Sequence, residues 1–163
     1  MNNCRYNETP NYFFVSGFSE FYRKPYRWVT RTVGQMVPET AVTGGRDVDG
    51  STIYVGRAFH NGDMIPAKVI PEKNAAVFAE TLTDKRIVLC QNSFAWEHAG
   101  NGAIPPNAVV AGQNSEGEPL YVGRVFHNGA QTVGKVQASH GCLYIPFDGE
   151  ELSFREYEVL VNH

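Results

Sequence analysis

Three groups of residues in this chain carry side chains that could do chemistry. The first is Asp47-Val48-Asp49-Gly50, whose closely spaced carboxylates suggest a calcium loop. Such a loop would also need an acidic or amide group at 51 and a Glu at 58. The chain has Ser51 and Ala58 there, so no metal site is expected. The second group is His60, His98, His127, His140 and His163 with Cys4, Cys90 and Cys142. A ligating or catalytic role needs partners that converge. His60 has Asp63 nearby, but Ala130 takes that place beside His127, and no His–Cys ligand spacing occurs. The third group is Arg57 and Arg124, which recur in one motif. A guanidinium there could bind an anion, or pair with a carboxylate and lock a sheet; the lock is the favoured reading. No nucleophile motif, phosphate loop or paired-carboxylate signature appears. The chain is therefore expected to bind rather than to catalyse, without a catalytic residue, metal or cofactor.

The elements that must position these residues come from a duplication. Tyr54-Val55-Gly56-Arg57-Ala58-Phe59-His60-Asn61-Gly62 recurs as Tyr121-Val122-Gly123-Arg124-Val125-Phe126-His127-Asn128-Gly129, with a change only at Ala58/Val125. Ala41-Val42, Gly45, Gly50 and Lys68-Val69 align with Ala108-Val109, Gly112, Gly117 and Lys135-Val136. Trp28 answers to Trp96, and Arg86 to Cys90 answers to Tyr157 to Val161. Residues 28–92 and 93–163 read as two repeats, too few for a solenoid, hence as one body with pseudo-two-fold symmetry.

Each repeat reads as β. The 52–60 segment is rich in β-branched and aromatic residues. It runs into Asn61-Gly62, the strongest short hairpin signal, because a type I′ turn needs positive φ at both central residues. A two-residue loop pairs His60 with Asp63, Ala58 with Ile65, Arg57 with Pro66 and Val55 with Lys68. Arg57 and Lys68 then share one face; Tyr54, Ala58, Ile65 and Val69 share the other, which is the expected core face. Gly56 and Gly123 mark a bulge or a close backbone approach. The fold class is all-β: two tandem repeats of short antiparallel strands in a sandwich or barrel-like body.

Composition narrows the class. The 163 residues are 42% apolar, too rich for a disordered chain. A net charge of −3 argues against a nucleic-acid partner. No apolar run is long enough for a transmembrane segment. The N-terminus lacks the basic and apolar regions of a secretory signal, and three cysteines make no disulfide framework, so a cytoplasmic location is expected. Asn7-Glu8-Thr9 fits a glycosylation sequon but is not expected to be used. Residues 1–27, dense in Tyr and Phe, read as an extension that covers a sheet edge or a partner.

The duplicated pattern resembles the DM-nine repeat family. The elements that match are Trp28, Val37-Pro38, Ala41-Val42, Gly45-Arg46-Asp47, Tyr54-Val55-Gly56-Arg57, Gly62 to Lys68, and Tyr157-Glu158-Val159-Leu160. In the second copy they are Trp96, Ala108-Val109, Gly112, Tyr121-Val122-Gly123-Arg124 and Gly134-Lys135. The resemblance implies an all-β fold of two repeats that tends to form a homodimer. Family members stand alone or are joined to the pore-forming part of natterin-like toxins, and characterised mollusc members are mannose-binding lectins of innate recognition. By the resemblance, Asp47 and Lys68 contact the sugar, joined by Asp63 after the turn, with Arg57 and Arg124 as motif support. Asn114 and Lys135 are the second-copy equivalents. The chain departs from the family's Pro-Gly-Lys in both copies, with Pro66-Ala67-Lys68 and Val133-Gly134-Lys135, and Asn114 replaces an Asp. The first site is therefore expected to be the stronger.

An Asp–Lys pair suits a sugar physically. A carboxylate accepts from vicinal hydroxyls, an ammonium donates to oxygens, and charge assistance strengthens both bonds. The bland alternative gives Asp47 a turn-forming role and leaves Lys68 as a solvated strand lysine. The expected function is a carbohydrate-binding lectin for mannose-type glycans in pattern recognition. The alternative is a protein-interaction or membrane-associated scaffold whose sugar site has lapsed.

Overall fold

The computed structural model describes residues 26–32, 35–73, 75–78, 81–82, 85–90 and 93–163. Most of the 1–27 segment, with its expected edge-covering role, lies outside the described residues. Among the described residues, seven strands precede residue 91: β1 (Arg27–Thr32), β2 (Thr43–Arg46), β3 (Thr52–His60), β4 (Asp63–Ile70), β5 (Ala75–Phe78), β6 (Thr81–Leu82) and β7 (Lys85–Cys90). Seven more follow: β8 (Phe94–Gly100), β9 (Val110–Gln113), β10 (Pro119–His127), β11 (Ala130–Gln137), β12 (Cys142–Phe147), β13 (Glu150–Phe154) and β14 (Glu156–Asn162). All pairings are antiparallel, and the strands form one connected sheet system. The chain is all-β, as its residues predict.

The hairpins form as the turn chemistry requires. Asn61 and Gly62 have φ of 48° and 92°, and Asn128 and Gly129 have 45° and 85°. β3 and β4 pair in the expected register, His60 with Asp63 through Val55 with Lys68, and β10 and β11 pair as His127 with Ala130 through Val122 with Lys135. The bulges lie elsewhere than Gly56 and Gly123. Register shifts between Thr43 and Gly45 in β2, and between Leu120 and Tyr121 in β10. Gly123 is instead a close approach, since a Cβ there would meet Val136 Cγ2 at 2.5 Å and Leu143 Cδ1 at 2.9 Å.

The expected single core face is corrected by the packing. Ala58, Ile65 and Val69 are buried, but so are Ile53 and Val55 on the Arg57 side. The largest cluster joins Ile53, Val55, Ile70 and Leu89 to Val109, Ala111, Val122, Val133 and Leu160. It draws from both repeats, so β3 and β4 are covered on both sides and lose the one-sided pattern of a half-solvated sheet. Two glycines make this junction possible. A Cβ on Gly45 would overlap the Gln131 carbonyl, and a Cβ on Gly112 would overlap the Met64 carbonyl. These are equivalent positions in the duplication, and β2 meets β11 there through Arg46 and Gln131.

Candidate functional site

The turn that carries Asp47 closes on itself. Asp47 N–H donates to Ser51 O, and Gly50 N–H donates to Asp47 O. Asp47 Oδ1 accepts from Val48 N–H at 2.9 Å, and Asp49 Oδ1 accepts from Ser51 N–H at 3.0 Å, the side-chain bonding that gives Asp its preference for turns. Lys73, in the one-turn helix Pro71–Lys73, reaches both carboxylates, at 2.7 Å to Asp47 and 3.0 Å to Asp49. Partial burial raises the Asp47 pKa, but the hydrogen bonds from Lys73 and Val48 and the Lys73 charge outweigh it and hold the carboxyl below its usual range. Asp49, bonded by Ser51 and Lys73, falls to about 2.

Lys68 is not a solvated strand lysine. It is 8% exposed, and its ammonium donates to Pro146 O at 2.9 Å across the repeat boundary. The Phe147 ring lies 5.9 Å from the same nitrogen. Burial lowers the Lys68 pKa, and the charge of Asp47 partly offsets this. Asp47 and Lys68 are therefore electrostatic neighbours, each with a different first partner: Lys73 for Asp47, Pro146 O for Lys68.

Asp63 sits at the hairpin end, five positions along β4 from Lys68, roughly 16 Å at strand rise. Its Oδ1 accepts from Ser115 N–H at 2.7 Å, which docks the first hairpin on the second repeat's turn beside Asn114. Asn114 is engaged within that turn. Its Oδ1 accepts from Glu116 and Glu118 N–H at 3.1 and 2.8 Å. Lys135 turns away to Glu151 Oε1 at 2.8 Å and stands 5.2 Å from the Tyr144 ring.

Arg57 and Arg124 lock the two repeats through backbone carbonyls, and Arg124 also has a carboxylate partner, which Arg57 lacks among the described residues. Arg57 Nη1 donates to Ala111 O at 2.9 Å, and Arg124 Nη1 donates to Gly44 O at 3.3 Å, so each crosses into the other repeat at the equivalent carbonyl. Trp28 stacks on Arg57 at 4.5 Å and Trp96 on Arg124 at 4.2 Å. Arg124 Nε also pairs with Glu158 at 2.6 Å. Ile87 is the register partner of Arg57 where Glu158 faces Arg124, and Arg57 Nε is buried without a hydrogen bond. Burial lowers the Arg57 pKa to about 10.

Motif segments of the two repeats border a shallow, solvent-open surface notch. Pro66 lines it from the first repeat, and Gly134 and Lys135 from the second, with Tyr144, Pro146 and Glu151. Sequence reasoning missed Lys73, Tyr144 and Glu151. One signal was present for Glu151: Asp148-Gly149, with φ of 50° and 79°, is a type I′ pair joining β12 to β13.

The pattern of the DM9 repeat matches residues 47–154. Natterin-3 of Thalassophryne nattereri is 35% identical over 65 residues, covering 40% of this chain and 15% of that protein. A solved structure, the nematode sperm cell motility protein MFP2B, superposes with a TM-score of 0.57 at 9% identity, over 84% of this chain and 46% of that one. At that identity the likeness shows the fold alone. This chain spans less than half the length of either of these proteins.

Proposed function

The chain belongs to the DM9 repeat family, and from that premise we propose that it is a lectin for mannose-type glycans, acting in pattern recognition. The observation that supports the reading is the surface notch between the repeats, where motif segments of both copies meet beside the partly exposed Lys135–Glu151 ion pair. Sugar hydroxyls both donate and accept, so such a pair satisfies vicinal hydroxyls from two sides. On this reading Asp47 with Lys68 forms the first acid–lysine neighbourhood, with Asp63 at the hairpin end, and Lys135 with Glu151 forms the second, while Asn114 is held within its own turn. Shallow sites of this kind bind a single sugar weakly, and self-association into a homodimer raises avidity. A glycan array probed with the purified chain tests the proposal. Retention on mannose-terminated glycans supports it, and an array with no retained glycan overturns it.

A second reading, an interaction scaffold of the same fold, is favoured by Phe59 and Phe126. These equivalent hairpin residues are each 67% exposed. Replacing both with Ser lowers the mass seen by light scattering if that surface mediates self-association; an unchanged mass argues against it.

A further inference from the structure

We infer that Asn128 is a modification site at which the folded chain deamidates spontaneously, closing on the Gly129 nitrogen and opening with water to an aspartyl or isoaspartyl residue. Asn61 and Asn101, each also followed by glycine in a turn, are held back by contacts that Asn128 lacks among the described residues.

Asn-Gly occurs three times, at 61–62, 101–102 and 128–129. Deamidation at such a pair is intramolecular. The glycine nitrogen attacks the asparagine Cγ, so an N–C bond forms and the Cγ–Nδ2 bond breaks. The glycine's amide proton ends on the departing nitrogen, which leaves as ammonia. Water then opens the succinimide at either carbonyl, and no electrons change hands. Glycine favours the attack because no Cβ shields its nitrogen.

The three turns share one backbone geometry. The φ values are 48° and 92° at 61–62, 51° and 84° at 101–102, and 45° and 85° at 128–129. A type I′ geometry directs the glycine nitrogen away from the asparagine Cγ, so the turn must first open. Opening is a local equilibrium set by the contacts that hold each turn.

Those contacts differ. Gly102 N–H, on the attacking nitrogen itself, donates to Tyr157 Oη at 3.0 Å, and Asn101 N–H donates to Arg155 O at 2.8 Å. Asn61 Nδ2 donates to His60 Nε2 at 3.0 Å. Asp63, just past that turn, accepts from Ser115 N–H at 2.7 Å and pins the tip to the second repeat. At the other tip Ala130 replaces Asp63, so the pin is gone. The His127 ring lies against Phe147 and Phe154, with centroids at 4.8 and 5.3 Å, and the Asn128 side chain has no hydrogen-bond partner among the described residues. Asn128 and Gly129 are both exposed, and a Cβ on Gly129 would meet nothing within 4 Å.

The product alters the hairpin beside the junction of the repeats. Isoaspartate routes the backbone through the side-chain carbon and lengthens the two-residue loop that fixes the β10–β11 register. Gln131, close behind on β11, is the residue that meets Arg46 of the first repeat. Aspartate keeps the loop and adds a negative charge.

The test is incubation of the folded full chain in mildly alkaline buffer, read by peptide mapping and mass spectrometry. Asn128 is expected to convert about tenfold or more faster than Asn61, the factor that one hydrogen bond to a charged group sets on the opening of the tip. Asn101 is expected to be the slowest. Asp63→Ala makes the two tips identical in sequence from Phe59 and Phe126 onward through the turn, so its Asn61 rate is expected to rise toward that of Asn128, with thermal melts to confirm folding. In urea the three sites are expected to convert at similar rates, which assigns the order to the fold. The inference falls if Asn61 or Asn101 of the folded chain converts as fast as Asn128. It falls also if Asp63→Ala leaves the Asn61 rate unchanged, or if the folded chain does not convert at all while the unfolded one does.

Discussion

Lys68 Nζ donates a 2.9 Å hydrogen bond to the carbonyl oxygen of Pro146, so the motif lysine of the first repeat ties β4 to β12 of the second. The tie is buried, and a buried carbonyl that loses its donor costs about 1–3 kcal/mol. Lys68→Ala is expected to lower stability by about that amount plus the lost packing of the side-chain stem. Lys68→Met keeps the packing and removes the burial penalty of the charge, so it should cost less. Urea midpoints at unchanged slope check the order.

The two arginine locks predict unequal responses. Arg124 Nε has Glu158 at 2.6 Å, while Arg57 Nε is buried without a hydrogen bond. Glu158→Gln is expected to lower the melting temperature through loss of a charged hydrogen bond, worth about 1.5–3 kcal/mol. Arg57→Lys keeps a charge but loses the donor to Ala111 O and the planar stack on Trp28, and is expected to lower stability by about 1 kcal/mol or more. Scanning calorimetry of both variants reads the signs.

The hairpins and their register are legible in the residues because Asn61-Gly62 and Asn128-Gly129 set turn geometry locally. The all-β class follows from the same signals. The partners of the motif residues are not legible in this way. Arg57 and Arg124 reach carbonyls at Ala111 and Gly44, and Lys68 reaches Pro146, all across the repeat boundary. Spacing along the chain says nothing about which strands of the two copies abut. The same holds for Glu151, which comes near Lys135 because β12 pairs with both β11 and β13. The double-sided burial of β3 and β4 is likewise a property of the assembled repeats.

The glycines separate crowding from backbone freedom. Gly112→Ala places a methyl onto the Met64 carbonyl, and Gly45→Ala places one onto Gln131. Overpacking typically costs about 1–3 kcal/mol, and a backbone obstacle raises it because the carbonyl cannot rotate away. Gly50→Ala meets nothing within 4 Å and pays only for its φ of +86°, about 1 kcal/mol. Unfolding midpoints should therefore order Gly50→Ala above both junction variants.

Acid should loosen the Asp47 turn. Both Asp47 and Asp49 have folded pKa values below the unfolded value of about 3.9, Asp49 at about 2. A lowered folded pKa means that the contribution is present above the unfolded pKa and is lost as pH falls through the folded one. Stability is expected to decline from about pH 4 toward pH 2. Lys73→Met should flatten that slope without abolishing it, since Ser51 N–H still holds Asp49. Thermal melts of the two proteins across this range check it.

The central claim is sugar binding, and calorimetric titration of the intact chain with mannose tests it most directly. The account predicts saturable heat at millimolar mannose that galactose does not reproduce. Absence of heat at millimolar mannose, with the protein shown to be folded, would contradict it.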